Sequence, residues 1–427
     1  MHIKKSSNER IVIIGGGFGG LQLARNLGKL EYQVVLIDKN NFHQFQPLFY
    51  QVATSGLEPS SIIFPFRKIF QKVERFHFRL AEVLKINTKE QSIETSTGRL
   101  SYDHLVIATG AGNNFFGNQN IAQFALPMKS INESLRLRNI ILERFEESLN
   151  YAEKEQAKYL RVVIAGAGPT GVELAGTLAE MKRFILPKDY PELNFDQMEI
   201  TIVEGSARVL SAMSEKSSQK AHGYLEKLGV VVKVGTLVKE FDGDVVTLNT
   251  GEHIETKTLI WAAGIQGNVV DGIEQENVVR GNRIKVDEFC RVEGMENVYA
   301  VGDVAFMTAD KNYPNGHPQL AQAAIQQGKL LAKNFKNKAA KKAMVSFAYK
   351  NLGTMATVGR NKAVVELPHR KIYGFFAWFM WMFVHLRSIL GAKNKIIVFF
   401  NWTWNYFTYN LSLRLIIKRN DQVKEEG

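Results

Sequence analysis

The sequence predicts an α/β fold built from two similar domains, the second inserted in the first, followed by a C-terminal helical region. Three observations lead to this prediction. A unit of apolar strand, glycine-rich turn and helical pattern occurs twice, at 10–30 and at 161–181. Each copy is followed by another apolar strand that ends in an acid, Asp38 and Glu204. Near residue 345 a stretch rich in aromatic and basic residues begins.

Length and composition are those of a folded enzyme-sized protein. The chain has 427 residues, enough for two or three domains with complete cores. Hydrophobic residues make up 45% and charged residues 22%, both ordinary for a globular protein. The start, MHIKKSSNER, leads into an apolar strand without an h-region, so we expect no signal peptide. The one cysteine, Cys290, excludes a disulfide framework or a CxxC pair within one chain, and favours a reducing, cytoplasmic setting.

The first glycine-rich turn, GGGFGG, follows the G-x-G-x-x-G pattern at Gly15, Gly17 and Gly20. Such glycines permit a tight turn, let backbone N–H groups reach a pyrophosphate, and allow close packing of helix and strand. The next helix N-terminus adds partial positive charge. Asp38 lies eighteen residues beyond Gly20, where an acid that binds ribose is expected. A Rossmann-like dinucleotide site follows, and a solvated strand-end acid is the alternative.

The second turn repeats the pattern with Gly166, Gly168 and Gly171, and its acid is Glu204. An insertion at 186–197 explains the longer spacing to that acid. A carboxylate here accepts hydrogen bonds from ribose hydroxyls and repels a 2′-phosphate, so we expect NAD(H) rather than NADP(H). Two nucleotide sites in one chain indicate two cofactors in contact, a nicotinamide and a flavin.

Further strands complete the two Rossmann-like domains. In three further segments, an apolar strand is followed by a turn of small residues, where a ligand or another backbone can approach closely. These segments are 102–112, 257–267 and 296–305. The predicted regions are a first domain split into 1–112 and 285–345, an inserted domain at 113–284, and a C-terminal region at 346–427.

The chain resembles the type II NADH dehydrogenases, which are single-chain NADH:quinone oxidoreductases. Four segments carry the resemblance: FHQFQPLFYQVATSGL (42–57), AVGDVA (300–305), LAQAAIQQG (320–328) and YKNLGTMATVGRNKAVVEL (349–367). The resemblance implies FAD in the first domain and NADH in the second. It also implies hydride transfer from NADH to FAD, then two-electron reduction of a menaquinone or ubiquinone that enters from the bilayer, without ion pumping.

The resemblance also implies site residues. Those matching FAD contacts are Gly15, Gly17, Phe18, Gly19, Gly20, Asp38, Lys39, Gln46, Val83, Gly110, Asp303, Ala321 and Gln322. Those matching NADH contacts are Gly166, Gly168, Gly171, Glu204 and Gly264. Asp303 matches the residue that binds the ribityl–phosphate part of FAD, and Val83 matches a backbone contact to adenine.

Three polar residues are candidates for catalysis. Gln322 and Gln326 are four residues apart, on one face of a predicted helix, where their amides could bind a quinone carbonyl. The pattern alone favours a solvated stripe, whereas the resemblance places both in the wall of a quinone tunnel. We expect Glu173 in the first turn of the helix after the second glycine motif, where an acid can simply stabilise the helix. The resemblance instead places it near the flavin.

Aromatic strips and basic residues alternate in the C-terminal region. No Asp or Glu occurs from Pro368 to Asn420, whereas eight cations do: Arg370, Lys371, Arg387, Lys393, Lys395, Arg414, Lys418 and Arg419. The uncharged run at 372–386 would be about 22 Å long as a helix, shorter than the roughly 30 Å hydrocarbon core. We therefore expect no membrane-spanning segment.

A second run, at 396–413, has the pattern of a helix lying in the membrane interface. Its polar stripe consists of Asn401, Asn405, Thr408 and Ser412, and the residues off the stripe are Trp402, Trp404, Phe407 and Leu411. With basic residues near by, this pattern favours an anionic membrane surface over nucleic acid, and a core helix is the alternative. The strip GFFAWFMWMFV (374–384) could pack under the protein or at a contact between two copies, which leaves a homodimer open.

We therefore expect a peripheral, monotopic flavoenzyme on the cytoplasmic face of the inner membrane. The histidines, aspartates and glutamates show no ligand spacing, so we expect no metal site. A disulfide reductase or sulfide:quinone oxidoreductase would need a cysteine pair. A reductase with a soluble ferredoxin or rubredoxin acceptor, which would not need the tail, stays open. So does a non-catalytic, redox-sensing membrane flavoprotein.

Overall fold

Two five-stranded parallel sheets organise the chain, one in each of two units. The computed structural model describes residues 1–409 and 413–417. The predictions made for Leu411, Ser412, Lys418 and Arg419 lie outside the described residues. The first unit comprises Met1–Gln44, Ile63–Gly112 and Ile265–Leu352, and the second comprises Phe45–Ile62, Asn113–Gly264 and Gly353–Gly427.

The strands of the described residues are, in chain order, β1 Arg10–Ile14, β2 Gln33–Asp38, β3 Phe42–Gln44, β4 Ile63–Pro65, β5 Phe76–Leu80, β6 Val83–Asn87, β7 Ser92–Thr95, β8 Gly98–Ser101, β9 His104–Ile107, β10 Ala111–Asn113, β11 Leu126–Pro127, β12 Val162–Ala165, β13 Ile200–Glu204, β14 Val230–Val234, β15 Val238–Phe241, β16 Val245–Leu248, β17 His253–Glu255, β18 Thr258–Trp261, β19 Ile265–Gly267, β20 Val278–Val279, β21 Arg283–Val286, β22 Val298–Ala300, β23 Ala305–Met307, β24 Thr354–Thr357, β25 Ala363–Leu367 and β26 Arg370–Tyr373.

The α-helices of the same residues are α1 Phe18–Leu27, α2 Phe49–Ala53, α3 Pro59–Ile62, α4 Phe66–Ile69, α5 Gln119–Phe124, α6 Ile131–Ser148, α7 Glu153–Leu160, α8 Pro169–Phe184, α9 Leu186–Asp189, α10 Glu215–Lys227, α11 Ala321–Ala339, α12 Phe375–Ser388 and α13 Ala392–Thr408.

The sheet of the first unit has the strand order β22-β9-β1-β2-β5, with all neighbours parallel. Its central strand β1, RIVII, is buried on both faces, as β-branched runs in parallel sheets usually are. The helices α1 and α11 pack against each other in this unit. Gly328 of α11 permits the close approach, because a Cβ atom there would lie 2.5 Å from the carbonyl oxygen of Gly19.

The sheet of the second unit has the order β11-β18-β12-β13-β14, again with all neighbours parallel. Its strand β12 has the same position as β1 of the first unit, because each lies between the strand that ends in the acid and a later strand. In both sheets the order therefore reverses beside the strand that precedes the glycine turn, which is where doubly wound folds bind ligands. The predicted α/β fold class, with two similar parallel sheets, is confirmed.

The C-terminal helix α12 packs on a small antiparallel sheet of the second unit, in the order β24-β25-β26, and α13 packs against α12 and α3. Ala363 and Val365 of β25 form a buried cluster with Ala377 of α12. Residues 45–62 belong to the same unit. Which of the predicted domains binds which cofactor stays a prediction, because that assignment concerns ligands.

Candidate functional site

The first glycine turn connects β1 to α1 in the conformation that the motif predicts. Gly15 has φ +98°, a region that other residues rarely adopt, and its N–H donates to the carbonyl oxygen of Ile37 at 2.8 Å. A Cβ atom at Gly20 would overlap the carbonyl oxygen of Gly15. The Asp38 carboxylate accepts from the N–H groups of Gly16, at 2.6 Å, and Asn40, at 2.7 Å. The acid at the strand end therefore holds the glycine turn.

The second glycine turn repeats this geometry. Gly166 has φ +101°, and its N–H donates to the carbonyl oxygen of Val203 at 2.8 Å. A Cβ atom at Gly171 would overlap the carbonyl oxygen of Gly166. The Glu204 carboxylate accepts from the N–H groups of Ala167, at 2.6 Å, and Ser206, at 2.8 Å. The Ser206 hydroxyl also donates to Glu204 Oε1, whereas Glu204 Oε2 and both oxygens of Asp38 retain a further lone pair that can accept a ribose hydroxyl.

Both turns fit the pyrophosphate of a dinucleotide. The helices α1 and α8 begin without a side-chain cap, and neither has an acid in its first turn. Their N–H groups and partial positive charge are thus available to an anion. Cβ atoms at Gly17, Gly168 and Gly110 would meet nothing within 4 Å of the described protein. The residues present at each turn therefore suit the pyrophosphate of a dinucleotide such as FAD or NAD(H).

Two residues that the sequence did not single out support the first turn. The ring of Phe66 lies so close to Gly16 that a Cβ atom there would overlap it. The buried side chain of Gln327 accepts from the N–H of Gly302, at 2.7 Å, directly before Asp303. His43 is also buried and contacts the carbonyl oxygen of Gly16 through Nδ1, at 2.9 Å. Phe66 lies outside the segments that carry the family resemblance, and Gln327 lies within LAQAAIQQG, but only the fold shows what either side chain contacts.

Gln322 and Gln326 hold a segment of backbone in this structure. We call residues 343–352 the strap, since they form no helix or strand and run antiparallel to α11. Gln326 Nε2 donates to the carbonyl oxygen of Lys350 at 2.8 Å, and its Oε1 accepts from the N–H of the same residue at 3.0 Å. Gln322 Oε1 accepts from the N–H of Leu352, also at 3.0 Å. The predicted contact of these amides with a quinone stays a prediction.

Two further amides of α11 continue the same row of contacts. Asn334 is buried and bonds both ways to the backbone of Val345, with distances of 2.9 and 2.8 Å. Asn337 Nδ2 donates to the carbonyl oxygen of Ala343 at 2.8 Å. In these contacts the residue number rises along α11 while the number of its partner in the strap falls. The strap therefore lies antiparallel along one face of the helix.

Glu173 does not lie in the first turn of its helix, as the sequence led us to expect. The helix α8 begins at Pro169, so Glu173 is one turn further in, where it is buried and caps nothing. Its Oε1 accepts from Trp381 Nε1 at 3.1 Å and from the N–H of Thr357 at 3.4 Å. Burial raises the pKa of Glu173 to about 8, although both hydrogen bonds oppose that rise. The group is therefore a neutral carboxylic acid at pH 7.

A cavity of about 130 Å³ lies within the second unit, lined by α2, α8, α12 and α13. A volume of this order holds a single aromatic ring. Aromatic side chains, including Trp381, form part of its wall, and polar groups such as Thr177, Glu180 and Arg360 form much of the rest. Trp402 forms part of the wall, and its Nε1 donates to Gln51 Oε1 at 2.7 Å. Trp381, which donates a hydrogen bond to Glu173, thus belongs to the wall of this cavity.

The helices α12 and α13 each have one buried and one exposed face. Ala377, Trp381, Val398 and Trp402 are buried. Nine of their exposed apolar side chains are Phe375, Phe376, Phe379, Phe383, Ile396, Phe399, Phe400, Trp404 and Phe407. We call these nine residues the apolar face. No helix among residues 1–409 and 413–417 combines the length and hydropathy needed to span a bilayer.

Part of the tail prediction is wrong. Trp402 was expected on the membrane side of α13, but it is buried, because the aromatic residues of the helix are divided between both faces. Asn405 of the predicted polar stripe turns towards the protein and donates to the carbonyl oxygen of Gly56 at 3.4 Å. Arg414, expected among the cations for lipid, pairs with Asp189.

The other predicted site residues lie in several elements. Phe18 and Gly19 are in the first turn of α1, Lys39 follows β2, Val83 begins β6, and Ala321 begins α11. Gln46 begins a single 3₁₀ turn of the second unit, and Gly264 follows β18. Within the described part of the chain, no cluster of three or more His, Cys, Asp or Glu is placed to hold a metal ion.

Comparisons with known proteins give one family. Residues 9–328 match the model of the pyridine nucleotide-disulphide oxidoreductases, and residues 351–408 match the NDH2 C-terminal domain. The chain is 34% identical to a type II NADH:quinone oxidoreductase of Mycobacterium tuberculosis, over 93% of this chain and 88% of the relative. It is 31% identical to the type II NADH:quinone oxidoreductase of Staphylococcus haemolyticus, over 89% and 95%.

The fold also matches a solved structure, NDH2 from Plasmodium falciparum in complex with NADH. The TM-score is 0.88, with 22% identity over 96% of this chain and all of that one.

Proposed function

The chain belongs to the type II NADH:quinone oxidoreductases, and from this premise we propose where it takes up quinone and how it meets the membrane. It catalyses the oxidation of NADH by a quinone and uses FAD and NAD(H). Bound FAD supplies a carrier that accepts a hydride and passes its electrons to a second substrate. The chain must therefore hold the two cofactors, admit a quinone and manage protons.

We assign the two glycine turns to the two cofactors. The turn at Gly15–Gly20 with Asp38 holds the FAD pyrophosphate and ribose, and the turn at Gly166–Gly171 with Glu204 holds NADH. The support for this assignment is that both helices begin uncapped beside open space. Asp303, Ala321 and the other matching positions complete the FAD site, as the family resemblance implies.

The cavity in the second unit is the proposed place of the quinone ring. This proposal rests mainly on one observation: the cavity combines aromatic walls with a wall residue, Trp381, that is bonded to a buried carboxylic acid. Aromatic walls bind a flat, apolar ring. Glu173 lies behind Trp381 and not in the cavity wall, and its raised pKa makes it a proposed proton reserve for a quinone that becomes negatively charged on reduction.

The apolar face is the proposed contact with the membrane. A contiguous exposed row of aromatic side chains is typical of a lipid or protein interface. Lys371, Arg387, Lys393 and Lys395 flank or lie on the two helices and can bind anionic headgroups. The enzyme then lies on the cytoplasmic leaflet, and electrons enter the respiratory chain there. A homodimer stays an open alternative for part of this face.

The test measures electron acceptors on the purified protein. NADH should bleach the flavin absorption, and a short-chain quinone should restore it quickly, whereas a ferredoxin or rubredoxin should not. Rapid reoxidation by ferredoxin alone would favour the soluble-acceptor reductase. Flavin that NADH does not bleach would favour the redox sensor and overturn the proposal.

Two variants test the quinone cavity. Thr177→Met fills it, and Glu173→Gln removes the acid but keeps the acceptor for Trp381. Both should retain FAD and reduce ferricyanide with NADH normally, but slow quinone reduction about tenfold or more. Thr250→Met, in an exposed turn, is the control. Normal quinone turnover in both variants would show that the cavity is not the quinone site.

A further inference from the structure

The ring of Phe116 stands exposed at the same sheet edge as the second glycine turn. Its side chain is 69% exposed, which is unusual for a phenylalanine outside the apolar face. Its backbone has φ +52°, a left-handed conformation that a bulky residue rarely adopts. The protein therefore exposes an apolar ring on a strained backbone. A small polar residue at this position would destabilise the fold less.

The segment at 114–118, Asn-Phe-Phe-Gly-Asn, holds that ring in one place. Asn114 Oδ1 accepts from the N–H of Phe116 at 2.8 Å, and the carbonyl oxygen of Asn114 accepts from Trp261 Nε1 at 2.9 Å. The N–H of Asn114 donates to the carbonyl oxygen of Gly264 at 3.3 Å. Because Trp261 ends β18 and Gly264 follows it, Phe116 is fixed to the carboxyl end of that strand.

The ring of Phe116 packs against Gly264 and leaves no space for a side chain there. An ideal Cβ atom at Gly264 would lie 2.6 Å from Cζ of Phe116. Gly166 of the glycine turn is equally close to this strand end, since a Cβ atom there would lie 2.7 Å from the carbonyl oxygen of Ala262. The ring and the glycine turn thus share one edge of the sheet.

The order of the strands on either side of β12 determines which half of a dinucleotide lies near Phe116. Glu204, the acid for the adenosine ribose, ends β13, on one side of β12. Phe116 lies at the end of β18, on the other side of β12. A dinucleotide crosses the sheet at this point with its pyrophosphate on the glycine turn. Its nicotinamide half is then on the side of β18.

We propose that Phe116 is a wall of the subsite for the nicotinamide half of NADH, presented ready-made by the 114–118 segment. This inference rests on the proposed assignment of NADH to the second glycine turn. A rigid aromatic side chain loses little conformational entropy on binding and offers a flat apolar surface to the nicotinamide and its ribose. Phe116 is a binding residue and takes no part in proton or hydride transfer.

The test separates a binding role from a structural one. In Phe116→Asn the backbone strain is relieved, since asparagine adopts positive φ readily. Its melting temperature should be equal to or above that of the wild type. Its KM for NADH should nevertheless rise about fivefold or more, because the ring contact is lost. Phe116→Tyr keeps the ring and should stay within about twofold of the wild type. Phe124→Asn, a second partly exposed phenylalanine of this unit, should leave KM unchanged.

Product fragments identify the half of the dinucleotide. ADP-ribose should inhibit wild type and Phe116→Asn with the same Ki, whereas NAD⁺ should inhibit the variant more weakly. An unchanged KM for NADH in Phe116→Asn, or an equal rise in the Ki of ADP-ribose, would overturn the inference while leaving the proposed function intact. If Glu204→Gln left NADH and ADP-ribose binding unchanged while Phe116→Asn weakened NADH, the NADH assignment itself would fail.

Discussion

At the scale of single residues, Glu173 shows how position in the fold changes chemistry. An acid just after a glycine motif would ordinarily be ionised and would stabilise the helix N-terminus. Here α8 begins earlier, so the carboxyl group is buried one turn further in. Two hydrogen bonds from Trp381 and Thr357 do not compensate for lost hydration, and the neutral form prevails.

The raised pKa of Glu173 predicts a pH-dependent stability. The folded protein binds this proton up to a pH of about 8, whereas the unfolded chain releases it near the ordinary value of 4.5. The free energy of unfolding therefore falls as pH rises between these values, and Glu173→Gln lacks this loss. The difference in melting temperature, variant minus wild type, should grow by about 3 °C or more from pH 5 to pH 8. A constant difference, as expected for the exposed control Glu192→Gln, would contradict the prediction.

Glu204 predicts the choice of nicotinamide cofactor. Its carboxylate stands at the end of β13 and is fixed by the N–H groups of Ala167 and Ser206. A 2′-phosphate at this place meets a negative charge. In Glu204→Gln the kcat/KM for NADPH relative to NADH should rise about tenfold, because that repulsion is removed. Equal efficiency with both cofactors in the wild-type enzyme would refute the role of the acid.

At the scale of elements, the strap shows what a row of amides does on a helix. Sequence alone offered two uses for Gln322 and Gln326, a solvated stripe or a quinone contact. In the fold they bind the backbone of the strap, as do Asn334 and Asn337. An extended segment without a partner strand must satisfy its N–H and C=O groups elsewhere, and side-chain amides carry both a donor and an acceptor.

Asn334 is the amide whose loss should matter most. Asn334→Leu keeps the volume but leaves the N–H and C=O groups of Val345 without partners, which costs about 2–4 kcal/mol of unfolding free energy. Denaturant unfolding measures this cost, and hydrogen exchange should show a less protected strap. Asn337→Leu loses one exposed bond and should cost about 1 kcal/mol or less. Equal effects of the two substitutions would argue against the row of contacts.

The apolar face predicts membrane binding by α13. Phe400 and Phe407 are among its most exposed members, so Phe400→Ser with Phe407→Ser removes much apolar area without opening the core. The partition coefficient on vesicles containing anionic lipid should fall about tenfold or more. Leu80→Ser with Leu84→Ser, two exposed leucines of β5 and β6, is the matched control. Unchanged partitioning of the first pair would show that α13 does not carry the anchor.

At the scale of the whole molecule, the C-terminal region is part of the second unit and not an appendage. Glu366 of β25 accepts hydrogen bonds from Ser214 and from Ser217, the latter at 2.6 Å, at the start of α10. A Cβ atom at Gly176 of α8 would lie 2.8 Å from the backbone nitrogen of Gly359. Such close contacts bind the small antiparallel sheet to the helices α10 and α8 of the same unit.

Deletion of everything after Glu366 should therefore damage the fold as well as the anchor. It removes β26, α12 and α13 and exposes Ala363 and Val365, which are buried in the intact unit. The truncated chain should elute as an aggregate on gel filtration and melt at a lower temperature than the full chain. A truncated chain that folds as well as the full one and still binds vesicles would show that the tail is not the anchor.

The sequence by itself determined the features that depend on local spacing. Glycines at 15 and 166 supply positive φ, those at 20 and 171 leave room for a carbonyl oxygen, and Asp38 and Glu204 end the adjacent strands. These features depend on short-range interactions, because backbone sterics and hydrogen bonding in a turn act within a few residues. The α/β class, the two similar sheets and the family therefore followed from the chain alone.

Only the tertiary structure decided which side chains are buried and which distant residues they contact. Trp381 and Glu173 are 208 residues apart in the chain, yet they share a hydrogen bond at the wall of a cavity. The strip GFFAWFMWMFV turned out to divide between core and surface, with Trp381 inside and Phe376 outside. Aromatic side chains lie on both faces of α12, so hydrophobic periodicity could not separate the buried face from the exposed one. Burial, and with it the pKa of an acid or the role of a ring, depends on contacts that form only when distant segments pack.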